Sequence, residues 1–244
     1  MTAVVLAAGR SKRMRADVPK VMLEAAGRPL LDHVVGAARA AGCDRVIAVV
    51  GAQRQRIEEA FAGKGLDFVV QEKQRGTADA LLSCRDALSD DEELVVLCGD
   101  APLLRGSTIR RLVSARVDRD ADVSVLTARV AEPRGYGRIV RGADNSIDAI
   151  VEERDASEEV RRIDEVNSGA YSFRWGRVST VLRRIEPSPQ SGEYYLTDAV
   201  REVRREGGRV VAVEAEDPDE ILGANTPEQL AKVASVLAAR SAEE

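Results

Sequence analysis

Histidine is nearly absent from this chain: one residue, His33, in 244. That alone excludes metal or acid–base chemistry built on several imidazoles. Cysteine is almost as sparse. Cys43, Cys84 and Cys98 lie far apart with no CxxC pair, which excludes a disulfide framework and a cysteine-based zinc site and fits a reducing cytoplasm. No excess of positive charge exists either, since 36 basic residues face 41 acidic ones for a net charge of -5. A basic footprint for nucleic acid is therefore missing, and any phosphate partner should be small and locally bound. No apolar run reaches the roughly 18 residues of a membrane span. The opening MTAVVLAAGRSKRM carries its basic residues after its short apolar stretch, the wrong order for a secretory signal.

What remains is a chain of 44% hydrophobic and 32% charged residues, enough for one compact α/β domain with a small lobe. Short β-branched runs alternate with amphipathic stretches through the first half. Strands are expected at Ala3–Leu6, Arg45–Val50, Phe68–Val70 and Leu94–Leu97. Helices are expected at Pro29–Ala41, Gln53–Phe61 and Thr77–Leu88. Continuous apolar strands separated by helices imply a parallel sheet covered on both faces.

After residue 120 the rhythm changes. Asp122–Val130 alternates like an antiparallel strand, and Gly137–Arg141 and Ile147–Glu153 flank a turn at Gly142–Asn145. This predicts a mixed-sheet lobe beside the parallel core. Helices return at Arg177–Ile185 and Leu196–Glu206, with a strand at Arg209–Val213. A last helix opens on Thr226 as cap and Pro227 at its first position, the usual signature of a helix start. The Pro-Ser-Gly segment from Glu186 to Gly192 is the expected mobile loop.

Two segments point to phosphate chemistry. Leu6-Ala7-Ala8-Gly9-Arg10-Ser11-Lys12-Arg13-Met14, running on to Pro19-Lys20, follows the first strand. In an open parallel sheet that loop lies at the carboxyl edge, where ligands bind. Small residues let a ligand approach the backbone, and Arg13 and Lys20 add cations. The spacing is neither GxGxxG nor GxxxxGK[ST], so hydride transfer and Walker-type hydrolysis are disfavoured. A solvated basic turn is the plain alternative. Gly99-Asp100 follows the strand at Leu94–Leu97 and would put a carboxylate, suited to Mg²⁺, into the same crevice. A turn aspartate bonded to its own backbone is the competing reading. Asn225, in Gly223-Ala224-Asn225-Thr226, offers one more oxygen just before the final helix.

Gln71 carries both a donor and an acceptor, which matches the imide edge of uracil. Glu152, Asn167 and Thr197 are polar groups of the kind that surround sugar hydroxyls. Singly, each is as well explained by structure as by function.

Taken in order, LAAGRSKRM…PKV, Gln71…GTA, GDAPL, GYGRI, IVEERDA, NSGAY, GEYYLTD and GANT resemble the sugar nucleotidyltransferases. Within them they are most similar to the uridylyltransferase domain of the N-acetylglucosamine-1-phosphate uridylyltransferases. The likeness runs from Val4 to about Asn225. It implies a Rossmann-like, doubly wound, mostly parallel sheet of the nucleotide-diphospho-sugar transferase type with a small mixed-sheet sugar-binding lobe. It divides the chain into a nucleotidyltransferase domain over 1–227, with a nucleotide part to about 118 and a sugar part beyond it, followed by a C-terminal helix and tail over 228–244. By this resemblance the backbone of Leu6, Ala7, Ala8 and Gly9 contacts the uridine nucleotide, and Gln71, Gly76 and Thr77 contact uracil. Arg13 and Lys20 take the catalytic positions, Asp100 and Asn225 bind the metal, and Gly137, Glu152, Asn167, Tyr195 and Thr197 line the sugar.

The implied reaction is Mg²⁺-dependent transfer of UMP from UTP to N-acetylglucosamine 1-phosphate, a step toward a cell-wall precursor. Another hexose 1-phosphate such as glucose 1-phosphate, or a non-catalytic sugar-nucleotide sensor, stays open. The chain departs from the family in three ways. Arg10-Ser11-Lys12 follows Gly9 where x-Gly-Thr is frequent, and Cys98 stands where a tyrosine often precedes Gly-Asp. No hexapeptide repeats follow the last helix, so no acetyltransferase β-helix and none of its trimerisation is expected; a monomer or dimer, in the cytoplasm, without nucleic acid or membrane partners, is the remaining expectation.

Overall fold

Thr2–Leu6, uncharged and buried nearly throughout, forms strand β1, and the rest of the sheet is laid out around it. The computed structural model describes residues 1–9 and 18–243. A short hairpin of β2 (Glu24–Ala25) and β3 (Arg28–Pro29) leads into α1 (Leu30–Ala40). Next come β4 (Arg45–Val50), α2 (Arg54–Ala60), β5 (Asp67–Val70), α3 (Thr77–Leu82), β6 (Glu93–Cys98) and α4 (Gly106–Asp118). The second half holds β7 (Val123–Arg129), β8 (Arg138–Arg141), β9 (Ile147–Val151), α5 (Glu158–Arg161) and β10 (Glu165–Arg174). It ends with α6 (Trp175–Leu182), α7 (Asp198–Arg205), β11 (Val210–Glu214) and α8 (Pro227–Glu243).

The large sheet runs β11-β7-β10-β6-β1-β4-β5, with β8 and β9 hanging from β10. β1 pairs in parallel with both β4 and β6, and β11 pairs in parallel with β7. Along that path β10 alone, among the described residues, runs against its neighbours. Side chains alternate across β1 as the pleat requires. Ala3 and Val5 join α1, α2 and α4 in one apolar cluster, through Leu31, Ile57 and Leu112 among others. Val4 joins α3, α6 and α7 in a second, through Leu81, Val178 and Val200. The sheet is thus covered on both faces, the doubly wound arrangement expected from the apolar runs.

Three features differ from the expected layout. The mixed segment is continuous with the parallel core, because β10 enters the main sheet between β6 and β7. The helix expected over Thr77–Leu88 stops at Leu82 and gives way to a 3₁₀ turn at Arg85–Ala87. There the Ser83 hydroxyl donates to the Asp79 carbonyl at 2.9 Å, the local competition that makes serine a weak helix former. The loop expected to be mobile is laced to itself and to its neighbour. Ser188 donates to Asp155 at 3.1 Å, and its hydroxyl accepts from Gln190 and Ser191 backbone amides. Among the described residues no helix is long and apolar enough to cross a membrane.

β10 holds the two halves of the sheet together through buried aromatics. Phe173 is fully buried and stacks on Tyr171 with ring centroids 5.2 Å apart. Phe173→Ala should therefore lower the unfolding free energy by about 3–5 kcal/mol, read from urea denaturation. A loss below ~1 kcal/mol would show that β10 is a peripheral rather than a central strand.

Candidate functional site

The register of the sheet decides which loops meet. Leu6 lies opposite Val49 on one side and Cys98 on the other, and Val50 lies opposite Val70. Parallel strands that end together release their following loops at one edge. Ala7–Gly9, Gly51, Gln71 and Gly99–Asp100 therefore share the carboxyl edge of the sheet.

At this edge Lys20 sits between two oxygen donors. Its Nζ forms an ion pair with Asp100 Oδ2 and donates to Asn225 Oδ1 at 2.8 Å. The pair is largely withdrawn from solvent, with side-chain exposures of 12% for Lys20 and 25% for Asp100, so screening is weaker than at an open surface. The loop bearing Asn225 is pinned to Asp100 by backbone, since Ala224 N donates to the Asp100 carbonyl at 2.9 Å. Thr226 caps α8, accepting from Gln229 N at 3.3 Å, and Gln229 Oε1 in turn accepts from Asn225 N at 2.9 Å. Gly99 is required by close approach: a Cβ there would lie 3.1 Å from the Leu6 carbonyl oxygen and 3.0 Å from Val21. Lys20 and Asn225, 205 positions apart in the chain, thus meet at one ammonium. Arg13 lies outside the described residues.

The residues expected to contact the nucleotide are also brought together, and part of their backbone is already committed to the sheet. Leu6 O accepts from Gly99 N at 3.0 Å and Ala7 N donates to Val49 O at 2.9 Å. The Ala8 carbonyl accepts from Gln74 Nε2, in space left by Gly51, whose missing Cβ would lie 2.5 Å from that nitrogen. Gly9 has open space where a Cβ would stand. Gln71 is buried and its Nε2 donates to Gly76 O at 3.1 Å and to Asp79 Oδ2 at 2.8 Å. The sequence suggested that Gln71 would offer both a donor and an acceptor to a base; the structure spends its amide nitrogen within the protein. Gly76 adopts φ +120°, and a Cβ there would lie 2.4 Å from the Tyr194 carbonyl oxygen.

Thr77 serves a second purpose. Its hydroxyl accepts from Leu196 N at 2.9 Å, while Ala78 N donates to Tyr194 O at 2.9 Å and Tyr194 N to Arg75 O at 2.7 Å. Three hydrogen bonds therefore stitch the Gly76–Thr77 loop to the segment carrying Tyr195 and Thr197. Most of the residues expected to line the sugar form a cluster at the other end of this stitch. Thr197 donates to Glu152 Oε1 at 3.1 Å, a Cβ on Gly137 would stand 3.5 Å from the same oxygen, and Asn167 N donates to Gly137 O at 2.8 Å. The Asn167 amide is turned back on its own strand, donating to the Tyr171 hydroxyl at 2.7 Å and accepting from Gly169 N at 3.1 Å. Tyr195 stands apart at the rim, its hydroxyl donating to Ser191 at 2.6 Å.

Cys98 links the two centres. It lies two residues from Asp100, and a Cβ on Gly169 would be 2.6 Å from its sulfur. Burial, with Asp100 adding repulsion, pushes its thiol up to about 12, so it stays protonated and inert as a nucleophile. Burial likewise pushes the Tyr171 phenol well up, with Glu152 adding to the effect. His33 is occupied elsewhere, its Nε2 lying 2.9 Å from the Ala25 carbonyl oxygen. Asp79 and Gln74 carry contacts to the nucleotide loops that sequence reading missed. The only signal for Asp79 was an Arg75–Asp79 spacing of four, here an ion pair of 2.7 Å.

A lysine held between a carboxylate and an amide oxygen at the carboxyl edge of a doubly wound sheet is the layout of a nucleotidyltransferase. The chain belongs to the MobA-like NTP transferase domain family, whose model matches residues 3–166. It is 40% identical over 233 residues to the bifunctional protein GlmU of Koribacter versatilis, covering 94% of this chain and 50% of that protein. It is 39% identical over 240 residues to the bifunctional protein GlmU of Caldanaerobacter subterraneus subsp. tengcongensis, covering 98% and 52%. The chain thus spans about half the length of these relatives. A UDP-glucose pyrophosphorylase solved in complex with UDP-glucose superposes with a TM-score of 0.80 at 19% identity, covering 98% of both chains. That likeness shows the fold.

Burial raises the Glu152 carboxyl above its ordinary value of 4.5, against the opposing pull of the Thr197 hydroxyl and with Asp198 and Asp155 pushing the same way. A carboxyl held up in the folded state binds more protons there than in the unfolded chain, so its contribution to stability falls as pH rises above the ordinary value. Glu152→Gln removes that loss. Its melting temperature relative to wild type should therefore climb between about pH 4.5 and pH 8, measured by thermal unfolding; a difference that is flat or falls with pH contradicts the assignment.

Proposed function

We propose that this chain transfers UMP from UTP to N-acetylglucosamine 1-phosphate, releasing pyrophosphate and UDP-N-acetylglucosamine. The carrying observation is the convergence of Lys20, Asp100 and Asn225 at the carboxyl edge shared by β1 and β6. The family match and the two GlmU relatives support a nucleotidyl transfer, and the ordered GYGRI, NSGAY and EYYLTD segments support a sugar phosphate as acceptor.

The donor set at this point suits Mg²⁺. One carboxylate and one amide oxygen already share a single cation, the Lys20 ammonium. Mg²⁺ takes hard oxygen donors of this kind and leaves its other positions to water and substrate phosphates. Asp100 and Asn225 would hold the ion, and bound there it supplies Lewis-acid charge neutralisation on the triphosphate.

The remaining work falls to the chain. A phosphate monoester has a second pKa near 6, so the attacking sugar phosphate is already largely anionic at neutral pH and needs no base. The difficulty is repulsion: two unit charges at 4 Å in an effective dielectric near 20 interact by about 4 kcal/mol. Lys20 carries a positive charge fixed at the meeting point, and Arg13 is assigned the same duty from the loop before it. The open backbone at Gly9 and the Gln71–Gly76 pair orient the nucleotide. Glu152 and Thr197, with the Gly137 and Asn167 backbones, orient the sugar so that attack on the α-phosphorus is in line. Catalysis of this type rests on positioning and electrostatics.

Lys20→Ala should reduce turnover by roughly two to four orders of magnitude while the circular dichroism spectrum is kept. Pyrophosphate release from UTP and a panel of sugar 1-phosphates measures this, and the same panel separates N-acetylglucosamine 1-phosphate from glucose 1-phosphate. Full activity in the Lys20 variant, or no release by wild type with any sugar phosphate, removes the proposal; the second result favours a sugar-nucleotide sensor.

A further inference from the structure

Gln71 is spent at one end of its amide. Both hydrogens of Nε2 are used, one on the Gly76 carbonyl at 3.1 Å and one on Asp79 Oδ2 at 2.8 Å. A carbonyl and a carboxylate only accept, so this network permits one orientation of the amide; the reverse would set three oxygens against each other. Asp79 is itself held. Arg75 donates from Nε at 3.1 Å and from Nη2 at 2.7 Å to Asp79 Oδ1, leaving Oδ2 to Gln71. The Asp79 carboxylate sits in the first turn of α3, with a side-chain exposure of 17%.

We infer that Asp79 is a positioning residue for base selection: by holding the Gln71 nitrogen, it turns Gln71 Oε1, an acceptor only, toward the base. This rests on the uridylyl-transfer reading above. Uracil and thymine carry a hydrogen on N3 and donate to that oxygen. Cytosine has a lone pair on N3, so its edge would set acceptor against acceptor. A buried polar group left unpaired is the strongest device a pocket has for rejecting a near-isostere. Without Asp79 the Gly76 carbonyl is the amide's one remaining anchor in this pair, and Gln71 becomes free to present either end.

The test measures pyrophosphate release with one sugar 1-phosphate and three donors, UTP, dTTP and CTP, for wild type and Asp79→Ala. The expected result is a fall of about tenfold or more in the UTP:CTP ratio of kcat/KM, with the UTP:dTTP ratio unchanged because both bases carry the N3 hydrogen. A merely structural role for Asp79 would move all three donors together, and that result overturns the inference. So does an unchanged UTP:CTP ratio in folded protein. Asp79→Leu, close in shape and without an acceptor, gives the same reading should alanine cost the fold. Wild type that uses no UTP overturns the uridylyl reading itself; wild type that prefers UTP beside a variant with equal preference overturns only the role of Asp79.

Discussion

The site depends on holding opposite charges where the sheet alone would leave none. A carboxylate at the end of β6, partly withdrawn from water, needs a cation, and Lys20 supplies one from a loop 80 residues earlier in the chain. Breaking such a pair strands a charge in a poorly solvated place, which costs more than the pair gains. The arrangement therefore fixes three segments at once: the turn before β2, the Gly99–Asp100 corner, and the loop that enters α8. The Asp100 carbonyl reinforces it by accepting from Ala224 N. If the proposed polyphosphate substrates bind here, the site is preorganised around a positive charge, and the protein meets the electrostatic requirement of phosphoryl chemistry before they arrive.

The second constraint is mechanical. β10 runs antiparallel between β6 and β7, so the cluster around Glu152 and Asn167 and the one around Gln71 and Gly76 share one continuous sheet. Their loops are joined again above it, through the Thr77 hydroxyl on Leu196 N and the two backbone bonds between 75–78 and Tyr194. Gly76 makes that approach possible, since no side chain fits between it and the Tyr194 carbonyl. The two proposed substrates repel each other and would need a fixed separation, which a pair of clusters hinged by a flexible linker would not give.

Much of this was legible in the sequence, and the exceptions have physical causes. The apolar runs of β1, β4 and β6 are continuous because both of their faces are buried, so the parallel core could be read directly, with β5 as a shorter, half-buried edge strand. β10 could not. Its Asn167-Ser168-Gly169 stretch interrupts the apolar pattern, and the register shift between Asn167 and Tyr171 breaks the alternation that marks a strand. α4 was equally quiet, since Arg110, Arg111 and Arg116 dilute its apolar stripe; Arg116 is buried all the same and donates to Ser172 at 2.9 Å. In the site, the convergence of Lys20, Asp100 and Asn225 followed from motif order. The commitments of Gln71 and Thr77 did not, because a sequence names a side chain's donors and acceptors without saying which are already taken.

The chemistry can also be argued from what the site leaves neutral. Cys98 and Tyr171, a thiol and a phenol beside the two clusters, are both pushed toward their protonated forms by burial. The lone histidine has its Nε2 2.9 Å from the Ala25 carbonyl oxygen. Proton transfer at neutral pH therefore has few agents here among the described residues, and Glu152 is engaged with Thr197. A reaction whose nucleophile arrives already ionised asks for none of them. The same environment that silences these groups strengthens the field of the half-buried Lys20 ammonium, because an interaction grows as the effective dielectric around it falls. Under the proposed reaction, the scarcity of titrating side chains among the described residues and the partly desolvated charge of Lys20 are two sides of one design, in which the substrate brings the proton inventory and the protein brings the charge geometry.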